Sequence, residues 1–155
     1  MNKHIIRLLI LCFGLCVLFS SCGKEGALPS IAGEWHLVSF EGEATEDFDA
    51  YMVLNDDRSF SLYQKVETSF WQKYDGTYEY DASTIGGVYS DGTSWGSRYE
   101  YVYDKTSEKL TLISVSDIPE TQVFTRGNVP NEIKEKAQPI MQVQIKMNLQ
   151  WSPIF

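Results

Sequence analysis

Beyond residue 22 this chain of 155 residues has no cysteine, its three thiols being Cys12, Cys16 and Cys22. No downstream disulfide or thiolate metal site can form, so the folded part must hold by burial and hydrogen bonds. Histidine is almost as scarce: after His4 only His36 remains, and a Ser-His-Asp relay would have to be built around that one ring. By alternation from Trp35 it points outward, which suits a surface histidine better than a base in a cleft. The chain has no G-x-S-x-G, no glycine-rich phosphate loop and no H-E-x-x-H, so no catalytic residue, cofactor or metal ligand is expected. Basic charge is short as well, 13 Lys and Arg standing against 21 Asp and Glu for a net of −8. Nucleic acid is therefore excluded as a favoured partner, because like charge opposes its approach. The longest early apolar run, Leu8 to Phe19, has only 12 residues, too few to span about 30 Å of hydrocarbon.

That run follows a basic start, MNKHIIR, and leads into Phe19-Ser20-Ser21-Cys22-Gly23, the layout of a signal peptide. Small residues directly before a cysteine resemble the bacterial lipobox, which implies cleavage after Ser21 and acylation of Cys22. The alternative is an ordinary signal peptide with an incidental thiol. On the lipobox reading residues 1–21 form the leader and 22–30 a lipidated tether; losing Lys3 and Arg7 then leaves 11 cations against 21 acids, a net of −10. Gly23, in place of the aspartate that holds lipoproteins in the inner membrane, implies the outer membrane. Lys24 and Glu25 resemble loosely the export tag of surface lipoproteins, so both the periplasmic face and the cell surface stay open.

From Ile31 onward, short apolar-polar alternations recur with turn residues every eight to twelve positions, the spacing of an antiparallel sandwich or barrel. Strands are expected at Glu34 to Phe40, with Trp35, Leu37 and Ser39 on one face, and at Ala50 to Leu54 and Ser59 to Val66. Ser69 to Tyr74 and Thr77 to Tyr80 flank Asp75-Gly76, a dipeptide suited to a tight type I′ turn. Ile85 to Tyr89 and Ser97 to Asp104 flank a second Asp-Gly at 91 and 92, and Lys109 to Ser116 and Thr121 to Arg126 complete eight or nine strands. Tyr99, Tyr101 and Tyr103 give one strand an aromatic face. Closing such a sheet removes its exposed edges, so the expected class is all-β, an antiparallel meander closed into a barrel. A helix is expected over about 130–138, with Pro130 in its first turn and Pro139 stopping it. Alternation from Met141 to Trp151 predicts one further strand. A membrane-spanning barrel is disfavoured, since most of these strands fall short of the roughly nine to eleven residues that spanning needs.

Gly33-Glu34-Trp35 resembles the G-x-W of lipocalins. With Tyr74-Asp75-Gly76-Thr77-Tyr78, the stretch Tyr89 to Gly96 and Phe124-Thr125-Arg126, it is similar to the lipocalin-like domain of small lipoproteins from Bacteroides-type bacteria, a resemblance that covers about residues 31–138. It implies an eight-stranded calycin-like barrel filling residues 31–155, with Trp35 closing one end and Arg126 stacked on it as a structural pair. The family supplies a fold more than an activity.

Glu41, Glu43, Glu46, Asp47 and Asp49 place five acids in nine residues. A solvated loop is the expectation, for the D-x-D-x-D-G spacing of a calcium site is absent. Phe60 to Tyr103 holds twelve aromatics in 44 residues. They either fill the barrel or line a pocket for a small apolar or aromatic ligand. Leu37, Phe60, Leu62, Trp95, Tyr99, Tyr101 and Tyr103 are the candidate lining. Two functions follow: a non-enzymatic, outer-membrane-anchored barrel that binds or sequesters such a ligand, or a filled barrel that presents its acidic loop and terminal strand to a protein partner.

Overall fold

A computed structural model describes residues 28–45, 48–66, 68–140 and 153–155. Eight strands form the barrel: β1 (Gly33–Phe40), β3 (Asp49–Leu54), β4 (Ser59–Lys65), β5 (Gln72–Tyr80), β6 (Thr84–Tyr89), β7 (Tyr99–Asp104), β8 (Lys109–Ser114) and β9 (Thr121–Arg126). Each pairs antiparallel with the next around the ring, β1 meets β9, and β5 meets β6, so the sheet closes on itself. The short β2 (Glu43–Ala44) pairs with β1, and β10 (Gln138–Pro139) runs parallel to β5. The strand expected from Met141 to Trp151, Cys22, the expected leader and most of the expected tether, together with Glu46 and Asp47, lie outside the described residues.

Alternation builds the interior. Trp35, Leu37, Ala50, Met52, Leu54, Phe60, Leu62, Ile85, Leu110, Leu112 and Phe124 are essentially fully buried in one cluster. Asx-type turns join the strands: the Asp57 carboxylate accepts from the Ser59 N–H at 2.9 Å, and that of Asp81 from the N–H groups of Ser83 and Thr84, both at 2.8 Å. Such side chains imitate a backbone turn and so set the register of each hairpin. Those bonds hold the Asp81 carboxyl well below the usual carboxylate range.

The structure corrects three expectations. Asp75-Gly76 is not a turn, because β5 runs unbroken from Gln72 to Tyr80. Glycine is needed there for space: a Cβ on Gly76 would stand 2.2 Å from the Val88 carbonyl oxygen and 2.6 Å from the Phe60 ring. The second Asp-Gly does turn the chain, Gly92 having φ +90°. Ser39 leaves the Trp35 face, since a bulge between Leu37 and Ser39 shifts the pairing with β9 and sets Phe40, not Ser39, opposite the buried Gln122; opposed residues share a face. The helix, α1, covers only Asn131–Lys136. Proline disfavours helical geometry in the residue before it. Accordingly the chain is already extended at Ala137, and the Gln138 N–H bonds the Trp71 carbonyl at 2.9 Å instead.

α1 docks on the outside of the barrel. Ile133 and Val129 cover Tyr63, with Tyr51, Val53, Trp71 and Ala137 packed around them. Glu34 ties this layer to β1, accepting from Lys134 Nζ at 2.7 Å and from the Val129 N–H at 2.5 Å. Partial burial pushes the Glu34 carboxyl upward, but the Lys134 ammonium and the Val129 N–H outweigh it, so its pKa is lowered. Among the described residues no helix is long and apolar enough to cross a membrane.

Candidate functional site

At one end the barrel is shut. The Trp35 indole is buried and donates to the Ile31 carbonyl at 2.9 Å. Arg126 lies over it, its guanidinium carbon 3.9 Å from the ring centroid, while Nη1 donates to the Ala32 carbonyl at 2.8 Å. Tyr103 meets Trp35 edge-on at 5.5 Å, and Arg126 is 5.7 Å from the Tyr103 ring. Gly33 makes this seat possible: its φ is +140°, and a Cβ there would fall 1.5 Å from Arg126 Nη1. A cation held between two rings and a carbonyl is a structural lid.

The candidate ligand residues separate accordingly. Tyr103 belongs to this closed end. Tyr101 is partly buried, and its hydroxyl donates to the Asp81 carbonyl at 2.8 Å in the β5–β6 turn. The reason is a short seam: β6 pairs with β7 only through Thr84 with Glu100 and Ile85 with Tyr99, leaving the rest of β7 without a β6 partner. Leu37 and Leu62 lie in the buried wall. Phe60, Trp95 and Tyr99 come together, with Phe60 5.2 Å from Trp95 and Trp95 6.1 Å from Tyr99. The chain between β6 and β7 folds Trp95 inward beside Gly87, whose missing side chain leaves the room, since a Cβ there would stand 2.4 Å from the indole. The Trp95 N–H is buried and has no hydrogen-bond partner among the described residues.

Beyond these rings the interior turns polar. Gln64, Gln72 and Gln122 are at most 1% exposed, although they follow Leu62, precede Tyr74 and precede Phe124 on inward-facing positions. Gln64 Nε2 donates to Gln72 Oε1 at 3.1 Å, and the Tyr74 hydroxyl approaches the same oxygen at 3.5 Å. Gln72 Nε2 and Gln122 Oε1 have no partner among the described residues. Burying an amide group without a partner costs about 1–3 kcal/mol, so the unpartnered atoms of Gln72 and Gln122 inside an apolar barrel demand an explanation. Burial alone pushes the Tyr74 hydroxyl up to about 12; burial with the nearby Glu120 charge does the same for Tyr99, and Tyr89 is also raised, chiefly by burial. These phenols therefore stay neutral and serve as hydrogen-bond groups. Sequence reasoning missed the glutamines, although their even spacing from Leu62 and Phe124 was the available signal.

On the outer wall, His36 Nε2 lies 2.8 Å from Asp49 Oδ1, and the imidazole stacks on Tyr51 at 4.4 Å. Among the described residues no hydroxyl or thiol is hydrogen-bonded to this ring. Glu41 turns back onto β9, its carboxylate accepting from the Thr121 N–H. Among the described residues no cluster of three or more His, Cys, Asp or Glu is placed to hold a metal ion. No family model matches this chain, and no curated protein is significantly similar to it.

Proposed function

We propose that this protein is a non-enzymatic lipoprotein, anchored in the outer membrane through acylated Cys22, whose lipocalin-like barrel binds or sequesters a small apolar or aromatic ligand in the periplasm or at the cell surface. The observation that carries the reading is the mixed interior, where Phe60, Trp95 and Tyr99 adjoin three buried glutamines, two of which, Gln72 and Gln122, keep a hydrogen-bonding atom without a partner among the described residues. Ligand pockets combine apolar walls with a few convergent polar groups in this way. The short, cysteine-ended leader supports the anchor, and the −10 balance of the mature chain makes the ligand neutral or cationic rather than anionic.

A second reading, a filled barrel serving as a protein-interaction module, is favoured by the unbroken run of ring contacts from Tyr74 through Tyr89 and Phe60 to Trp95. Native mass spectrometry of the protein purified from its own cells separates the two. A discrete stoichiometric mass beyond the acyl groups on Cys22, lost on denaturing extraction, is the expected result for a carrier. Its reproducible absence would overturn the carrier reading in favour of the interaction module.

A further inference from the structure

The polar interior has an occupant, and it is the chain itself. Ile154 sits between two of the buried glutamines: its N–H donates to Gln64 Oε1 at 3.1 Å and its carbonyl accepts from Gln122 Nε2 at 3.2 Å. The two peptide groups flanking Ile154 are thereby read, one at its donor and the other at its acceptor, by side chains that are at most 1% exposed. The adjoining ring is held equally closely. Phe155 is buried, stacks on Trp95 at 4.5 Å and 19°, meets Tyr99 edge-on at 5.6 Å, and lies 6.3 Å from Phe124. The Tyr89 hydroxyl approaches the Phe155 backbone oxygen at 3.5 Å. Neither residue lies in a strand or helix, and the hydrogen bonds just named all involve side chains.

We infer that the barrel interior contains a binding site for an aromatic ring next to a secondary amide, that Ile154 and Phe155 fill this site as a tethered stand-in, and that an external ligand of the same chemistry, a short apolar peptide with an aromatic residue, displaces them. This inference rests on the carrier reading and specifies its ligand class. The glutamines follow from it, because a purely hydrophobic ligand would offer no partner to the groups that now bond Ile154 or stay unused on Gln72 and Gln122. So do the unused atoms: Gln72 Nε2, Gln122 Oε1 and the Trp95 N–H are donors and an acceptor that the short Ile154-Phe155 stand-in leaves unmatched and a longer peptide can reach. A tethered occupant competes at the high effective concentration of an intramolecular group, so the site in the intact chain takes up only ligands that outbind it.

The test is calorimetric titration of the full chain and of its Phe155→Ala variant with the blocked dipeptide N-acetyl-isoleucyl-phenylalaninamide. N-phenyl-1-naphthylamine, an apolar aromatic probe without an amide carbonyl, serves as the comparison. If the tail is closed at least nine-tenths of the time, the variant binds the dipeptide about tenfold or more tightly than the parent chain. Gln122→Leu in the same variant then abolishes most of that gain while leaving the naphthylamine affinity unchanged. Naphthylamine binding without dipeptide binding would overturn this inference and leave the carrier reading standing, whereas binding of neither would remove both. Equal dipeptide affinity in parent and variant would show that the tail is no competitor and would likewise overturn it. Should Phe155→Ala fail to fold, Phe155→Leu keeps an apolar filler, and Ile154→Pro removes the N–H that Gln64 accepts; each is expected to raise dipeptide affinity several-fold, and no rise in either sinks the idea.

Discussion

Replacing Gly33 by alanine should act on Arg126 before it acts on β1. The new Cβ would fall 1.5 Å from Nη1 and 2.7 Å from Cζ of Arg126, so the guanidinium must leave its place above Trp35 and release the Ala32 carbonyl. The lost cation–ring contact is worth about 0.5–2 kcal/mol, and the lost hydrogen bond from a charged donor about 1.5–3 kcal/mol. Water recovers part of both, since Arg126 is only half buried. Alanine at φ +140° adds backbone strain of about 1–3 kcal/mol. Gly33→Ala is therefore expected to cost about 3–4 kcal/mol and Arg126→Met about 2–3 kcal/mol in equilibrium urea unfolding followed by tryptophan emission. The decisive quantity is the double variant. If the glycine exists to seat the arginine, Arg126→Met costs under about 1 kcal/mol once Gly33→Ala has already expelled the guanidinium, a coupling of about 1.5–2 kcal/mol. Two costs that simply add, within about 0.5 kcal/mol, would refute the reasoning and reduce Gly33 to a residue of backbone conformation alone.

Gly87→Ala places a methyl group 2.4 Å from the Trp95 ring; overpacking of about 1–3 kcal/mol should appear as a lower urea midpoint together with altered near-ultraviolet circular dichroism, and an unchanged aromatic spectrum would show that the indole is not seated against β6. Ile133→Ala empties the contact that docks α1 on Tyr63 and should cost about 2–3 kcal/mol by the same unfolding measurement, whereas a neutral result would mean that the helix does not contribute to the fold. Tyr74 and Tyr99, with pKa values pushed up to about 12, keep their protons in the folded chain while an unfolded tyrosine releases its own near 10. The folded state then binds more protons, so stability is full below pH 10 and falls as pH rises from 10 through 12. Ultraviolet titration of phenolate should resolve a late group of tyrosines accompanied by alkaline unfolding, and a single transition near pH 10 with the fold intact would contradict their burial.

The barrel was legible because each strand repeats a period of two and each turn carries its own chemistry. Trp35 and Leu37, placed on one face by alternation, and Phe60 and Leu62, expected to line the interior, are all four buried. What misled was local punctuation. Asp75-Gly76 has the composition of a tight turn, yet the reason for its glycine is the Phe60 ring arriving from β4 and the Val88 carbonyl from β6, contacts that exist only after the sheet has closed. Ser39 lost its expected face to a bulge, which inserts one residue without any mark in the composition. Tyr101 and Tyr103 kept their inward phase but met the closed end, since the two-pair seam between β6 and β7 is a property of barrel stagger rather than of either strand.

The interior site was obscured for a different reason. A search for a pocket by apolarity selects Leu37, Leu62 and the aromatic rings, and so passes over Gln64, Gln72 and Gln122, which occupy the same inward phase one or two steps along their strands. Polar residues at core positions run against binary patterning, and such violations are expected to gather where function rather than stability decides. Here three amides from β4, β5 and β9 converge, although those strands are not sequential neighbours in the ring: β4 adjoins β5, but β9 reaches them across the lumen. The backbone of Ile154 spans that gap, its N–H bonded to Gln64 and its carbonyl to Gln122. A group that bridges opposite walls must lie within the lumen, and a wall built to hold an amide there fits a peptide-like guest better than a hydrocarbon one. The distinction between a filled barrel and a carrier therefore reduces to whether Ile154 and Phe155 can be exchanged for something outside the chain.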